Sequence, residues 1–180
     1  GDNMNNLALY NHLVSAGITT LYHFTSRRNI LSILEHGGLL SWKQLVAQSI
    51  EHVPGSNTLS RALDEERNLG DFVRLSIIPD TPMYRFVKKS GRVPDLTLIP
   101  LPVHVVLEAN QVLFSNTNAA SKRAVISDQP DILPASELER ILHVNKNATR
   151  QGSEREGIEQ AEILIRGFIA VDAKTLRRAA

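Results

Sequence analysis

Apolar residues between Leu7 and Val14 recur at roughly helical spacing, which predicts an N-terminal helix ended by Gly17. Leu21-Tyr22-His23-Phe24 is short and aromatic-rich and predicts a strand. Ser26 then reads as the N-cap of a helix carrying Ile30, Ile33 and Leu34 on one face and closed by Gly37-Gly38. Residues 41–58 mix helical and loop patterns up to a break at Pro54-Gly55-Ser56-Asn57, and Leu59 to Asn68 is polar and helical. Phe72 to Ile78 predicts a strand ended by Pro79-Asp80-Thr81-Pro82. Leu96 to Ile99, Val103 to Glu108 and Val112 to Phe114 are rich in β-formers. Ser136-Glu137-Leu138-Glu139 has the form of a capping box before a short helix, and Asn145 to Gly157 is polar and loop-like. Two last strands are predicted around Glu162 and from Phe168 to Val171. Short strands and helices intermixed without a βαβ rhythm predict an α+β fold with a mainly antiparallel, curved or split sheet.

One position breaks the apolar pattern. In Gln160-Ala161-Glu162-Ile163-Leu164-Ile165 a carboxylate sits inside an otherwise apolar run. On a regular strand Gln160 and Glu162 share one face, and Ala161, Ile163 and Ile165 share the other. A carboxylate on a buried strand is costly unless a partner or a ligand meets it. Glu162 is therefore either paired structurally or part of a site.

Composition narrows the chemistry. The 180 residues suffice for one domain with a core, here expected to run from 1 to 180, and net charge is +1, so no global polyanion signal is present. Arg85, Lys88, Lys89 and Arg92 nevertheless fall within eight residues that contain no acid. Such a cluster suits phosphates and equally suits a solvated loop. The absence of cysteine excludes disulfides and thiolate catalysis. No apolar run approaches the ~18 residues of a membrane span, so no membrane association is expected. The opening Gly-Asp-Asn-Met reads as a cloning remnant or the edge of an excised domain, and residues 1–6 are set aside from the predicted fold.

The six histidines form no His-x-x-x-His pair, so a metal site is not expected. Gly-x-Ser-x-Gly, Walker and Gly-x-Gly-x-x-Gly motifs are all missing. Three dispersed residues remain: His23 at a strand end before a helix, Arg67 in Asp64-Glu65-Glu66-Arg67-Asn68, and Glu162. Each also has a structural explanation: a histidine bonded to a backbone carbonyl, an i,i+3 pair with Asp64, and a pair with a lysine.

Five segments, in order, resemble the DarT family of bacterial DNA ADP-ribosyltransferases, the toxins of DarT–DarG toxin–antitoxin pairs. They are Leu21-Tyr22-His23-Phe24-Thr25 with Asn29 to Gly37; Asp71-Phe72-Val73 with Pro79 to Tyr84; Val103 to Ala109; Phe114 to Ser121; and Gln160 to Ile165. The resemblance spans about residues 20 to 172. Arg74-Leu75-Ser76-Ile77-Ile78 departs from it, standing where the family has an aromatic-rich strand.

The resemblance implies an ADP-ribosyltransferase-like split sheet and transfer of ADP-ribose from NAD⁺ to a nucleobase of single-stranded DNA. It implies Glu162 and Arg67 as catalytic residues and His23, Thr25 and Arg67 at NAD⁺. Asn29 is either within reach of the cofactor or solvent-facing. Tyr84 and Trp42 are candidates to hold a splayed base, although Trp42 reads rather as a core or capping contact. Arg150, with Lys146 and Arg155, could hold phosphates, and Gln160 could touch the acceptor. A macrodomain-containing antitoxin is the implied partner and the cytoplasm the implied site of action. RNA or protein as acceptor, and a silent NAD⁺- or nucleic-acid-binding module, are the alternatives. If Glu162 is unpaired, its truncation to Ala is expected to leave folding largely unchanged.

Overall fold

The structure, a computed structural model, describes residues 3–54, 65–147 and 159–179, with backbone alone for residues 3 and 144–147. Most of the predicted helix from Leu59 to Asn68, the Gly55-Ser56-Asn57 break, Arg150 and Arg155 lie outside the described residues, as does the side chain of Lys146. In chain order the elements are α1 (Asn3–Ser15), β1 (Thr20–Ser26), a 3₁₀ turn (Arg27–Asn29), α2 (Ile30–His36), β2 (Gly38–Leu39), α3 (Trp42–Ala47) and β3 (Phe72–Ser76). There follow α4 (Pro82–Ser90), β4 (Leu96–Pro102), α5 (Val105–Glu108), β5 (Val112–Ser115), β6 (Ile126–Ser127), a 3₁₀ turn (Pro130–Ile132), α6 (Ala135–Asn147), β7 (Glu162–Arg166), β8 (Ile169–Ala170) and α7 (Ala173–Leu176).

Six strands form one antiparallel sheet in the order β4-β1-β3-β7-β5-β6, and β2 pairs with β8 in a second. The α+β, mainly antiparallel expectation is borne out. Strand alternation divides the sheet into two unequal faces. Val73, Leu75, Ile163, Ile165 and Phe114 join Leu9 and Leu13 of α1 in the main core. Ala161 lies there too, so the expected grouping of Ala161, Ile163 and Ile165 holds. Phe72 and Leu164 belong to a smaller cluster with Leu69 and Ala119. The main core is thus built on one face, which leaves the other partly open, with Arg74, Ser76 and Glu162 beside the smaller cluster.

Several elements differ from the sequence reading, each for a local reason. β4 runs through Pro100 and Pro102 instead of stopping at Ile99. It is the edge strand, and Val103 N–H bonds the Thr19 carbonyl at 3.0 Å. By alternation the missing N–H groups of Pro100 and Pro102 fall on the outer side, where no strand needs them. Val105–Glu108 is helical, not extended; a short apolar run has no periodicity that separates the two. β3 stops at Ser76, although Ile77 and Ile78 stay buried. α6 starts at Ala135 because Pro134 offers its carbonyl to Glu137 and Leu138, which places Ser136 inside the helix, and the helix extends through Lys146 to Asn147. On α2, Ile33 is buried but Leu34 is exposed. α1 takes in residues set aside above: Asn6 is buried and donates to the Ala109 carbonyl at 2.7 Å.

Two glycines are required by conformation or contact. Gly37 ends α2 with φ 74°, a left-handed geometry that bonds back to Ile33 and Leu34. A Cβ on Gly38 would stand 2.1 Å from the Ile169 carbonyl oxygen, so the β2–β8 pair depends on its absence. Gly38→Ala is expected to lower stability by about 1–3 kcal/mol, as overpacking does, in equilibrium urea unfolding.

Candidate active site

The open face carries a cleft of about 220 Å³. One wall is the junction of β1 and α2. Ser26 caps the 3₁₀ turn by accepting from Arg28 N–H, and its hydroxyl donates to Asp95 at 2.7 Å. That bond, first among several, holds the Asp95 carboxyl below its usual range. Asn29 then fastens the neighbouring segment. Its amide nitrogen donates to Thr25 Oγ1 and to the Val53 carbonyl, both at 2.9 Å, and its Oδ1 accepts from Val53 N–H at 2.8 Å. Asn29 therefore binds wall to wall, and its amide faces protein rather than solvent.

His23 lies on β1 and lines the cleft. Its Nδ1 is 3.1 Å from the Arg74 carbonyl oxygen. A carbonyl only accepts, so Nδ1 carries the proton and Nε2 is left as the ring's acceptor. Burial pushes the imidazole below its ordinary range, partly opposed by this backbone bond.

Glu162 opens β7, between Ser76 of β3 and Ser115 of β5. Arg74 pairs with Leu164, one pleat further along, so Arg74 and Glu162 are diagonal neighbours on the same face. Arg74 meets the carboxylate with two arms: Nε donates to Oε2 at 2.8 Å and Nη2 to Oε1. Nη2 also donates to Asn118 Oδ1 at 2.6 Å, and Ala119 N–H donates to Glu162 Oε1 at 2.7 Å. Both side chains are largely buried, at 20% and 12% exposure. Three donors thus occupy three of the roughly four acceptor positions of the carboxylate. The open one is on Oε2. The structural alternative raised above, a pair with a lysine, is replaced by a forked pair with Arg74, and the cleft remains in front of it.

His23, Thr25, Asn29, Gln160, Glu162 and Trp42 all border this cleft. Arg67 and Tyr84 are not in its lining. Arg67 donates to the Ala124 carbonyl at 3.4 Å, holding the turn that follows Ala119. Tyr84 packs edge-on to Phe24, with Lys88 over its ring. Arg92, part of the basic cluster that the sequence offers to phosphates, does line the cleft, and Arg74, which the sequence did not single out as a site residue, lines it too. The signal for Arg74 was present: a charged residue inside the run Phe72-Val73-Arg74-Leu75, two residues from a face-sharing Ser76. Among the described residues no cluster of histidine and carboxylate suits a metal ion, and no helix is long and apolar enough to cross a membrane.

Two outcomes follow from this geometry. Truncating Glu162 strips the partner from a largely buried guanidinium, contrary to the expectation for an unpaired carboxylate. Glu162→Ala should cost about 1–3 kcal/mol in urea unfolding, and Glu162→Gln, which keeps an acceptor oxygen, less. For His23, a depressed pKa means that the unfolded chain binds a proton first on acidification. Stability should therefore be full above the unfolded value of about 6.5 and fall as pH drops below it, until the folded imidazole titrates. His23→Asn should flatten that slope when unfolding free energies are measured across the interval.

The profile of a family described as "ssDNA thymidine ADP-ribosyltransferase, DarT" matches residues 22–174. A DNA ADP-ribosyl transferase–DNA ADP-ribosyl glycohydrolase fusion protein of Thermosipho africanus (strain H17ap60334) is 30% identical over 119 residues. That match spans 62% of this chain and only 30% of the fusion protein. Among solved structures, Thermus sp. 2.9 DarT in complex with ADP-ribosylated ssDNA superposes with a TM-score of 0.61 at 19% identity, covering 85% of this chain and 77% of that one. Thermosipho africanus DarTG in complex with ADP-ribose gives 0.64 at 24%, covering 87% and 42%. Thermus sp. 2.9 DarT in complex with NAD⁺ gives 0.59 at 20%, covering 86% and 78%. At these identities the superpositions establish the shared fold, and the family match over most of the sequence establishes kinship. The chain belongs to the DarT family.

Proposed function

We propose that this protein transfers ADP-ribose from NAD⁺ to a thymidine base of single-stranded DNA. The observation that carries the proposal is the position of Glu162: at the head of β7, in one cleft with His23, Thr25 and Gln160. Support also comes from the family description and from relatives solved with NAD⁺ and with ADP-ribosylated ssDNA.

The cleft suits a dinucleotide. Trp42 offers a flat apolar surface for a nicotinamide or adenine ring, with Leu45 and Phe72 beside it, and Arg92 offers positive charge for a pyrophosphate. Glu162 uses its open Oε2 position to accept a hydroxyl of the nicotinamide ribose. As the bond from ribose to nicotinamide breaks, positive charge grows on the anomeric carbon, and the adjacent carboxylate favours that state over the ground state. The physical logic is that of a glycosidase carboxylate beside a sugar cation. Arg74 fixes the angle of the carboxylate. His23 presents Nε2 as an acceptor for a second hydroxyl, and Gln160 faces the acceptor side. Arg67, a guanidinium and so a very weak base, acts here through the turn it holds: Ala124 and Ala119 belong to that turn, and Ala119 N–H fixes Glu162.

A glycohydrolase that removes the mark is the expected partner, since the fusion relative joins the two activities in one chain. The site of action is then the cytoplasm, where the DNA is. Transfer to RNA or protein is the competing outcome.

The test uses labelled NAD⁺ with single-stranded DNA of mixed sequence, duplex DNA, RNA and lysate protein in turn. Label should appear on single-stranded DNA containing thymidine, and Glu162→Gln should reduce it at least about 100-fold with NAD⁺ binding retained. Label confined to RNA or protein would refute the DNA assignment.

A further inference from the structure

The mechanism leaves α4 unused, although it begins at the cleft. Thr81, its N-cap, and Met83 line the cleft, and so does Arg92 just beyond its end. Between them lies an exposed surface of unusual make-up. Phe86 is 65% exposed, and Lys88 and Lys89 are also exposed. The sequence holds no acid from Thr81 to Pro94. The nearby acids face Arg85: Asp80 at 3.4 Å and Glu159 at 3.9 Å. Arg85 takes up these acidic neighbours, which leaves exposed Lys88, over the Tyr84 ring, and exposed Lys89 without an acidic partner among the described residues.

An exposed phenylalanine beside cations suits a strand of nucleic acid: bases stack on an open ring, and phosphates settle on adjacent cations. Met83 and Phe86 are three residues apart, so they share a face with a rise of about 4.5 Å between them, close to one nucleotide step. Tyr84, the aromatic favoured by sequence, has its ring engaged by Phe24 and Lys88, so the open ring on this helix is Phe86.

We infer that α4 is the platform for the acceptor strand just outside the cleft, with Phe86 stacking a base that flanks the modified one and Lys88 and Lys89 contacting its phosphates. This rests on the proposed transfer to single-stranded DNA but is tested separately by binding. The full chain is titrated against a fluorescein-labelled thymidine-containing oligonucleotide of about 12 nucleotides, with anisotropy as the readout, and is assayed for transfer to that oligonucleotide. The variants are Phe86→Ala and the double variant Lys88→Ala/Lys89→Ala.

Phe86→Ala should weaken binding and raise the KM for the oligonucleotide about tenfold, with the KM for NAD⁺ unchanged. The lysine variant, which removes two phosphate contacts, should reduce the slope of log affinity against log salt by about 1.4. Variants that bind DNA as the wild type does, or a wild type that binds no single-stranded DNA, would overturn the platform. A matching rise in the KM for NAD⁺ would also overturn it, by assigning these cations to the dinucleotide. Binding that follows this pattern without label transfer would uphold the platform and instead refute the proposed reaction. Circular dichroism of each variant separates these results from misfolding, and Phe86→Tyr, which keeps the ring, should restore binding.

Discussion

Arg74 and Glu162 sit one pleat apart on neighbouring central strands, and the forked bond between them sets the geometry of the cleft. The same guanidinium holds Asn118, and the same carboxylate holds Ala119, so the two charges pin the turn after β5 against the open face of the sheet. The Arg74 carbonyl, on the backbone of the same residue, takes the proton-bearing nitrogen of His23. One residue of β3 thereby orients both the acid and the imidazole of the site. A largely buried pair of this kind brings little net stability, because desolvation offsets attraction. What it supplies is orientation: a carboxylate with three acceptor positions filled has one direction left in which to meet a ligand.

The rest of the architecture explains how residues so far apart in sequence meet. In an antiparallel sheet ordered β4-β1-β3-β7-β5-β6, the strands bearing His23, Arg74 and Glu162 are consecutive neighbours. The faces of β3 and β7 opposite Arg74 and Glu162 are locked into the main core with α1, which leaves their other face for polar groups, while His23 shares the face of Leu21 and Ile99 and lines the cleft beside the Tyr22–Ser76 pair that joins β1 to β3. The edges of the cleft are fixed by local devices instead of by bulk. Ser26 and Asp95 set the turn into α2, Asn29 ties in Val53, and a capping box at Ser41 and Gln44 starts α3, which brings Trp42 to the cleft. A preorganised site of this kind needs little rearrangement to stabilise a developing charge.

Much of this was legible in the sequence, and what was not has identifiable causes. The strand of Glu162, the strand of His23 and the closure of α2 at Gly37 were visible because alternation, a cap and a left-handed glycine are local. The extent of β4 was not, because Pro100 and Pro102 read as breakers until the strand is known to lie at an edge. Val105–Glu108 was misjudged because four apolar residues fit either a strand or a buried turn of helix. Cross-strand diagonals depend on register, which no single segment specifies, so Arg74 as the partner of Glu162 could not be assigned, though its place in an apolar run marked it. Arg67 rested on likeness and Tyr84 on the need of a splayed base for an aromatic ring; Arg67 instead bonds the Ala124 carbonyl and Tyr84 packs on Phe24, both outside the lining.

The most direct test of this account is a crystal structure of the protein with a non-reacting NAD⁺ analogue. A hydroxyl of the nicotinamide ribose should lie within about 2.6–3.2 Å of Glu162 Oε2 while Arg74 keeps both of its bonds to that carboxylate. An analogue seated away from β7, or a Glu162 that still faces only Arg74 and Ala119 with the ribose out of reach, would contradict it.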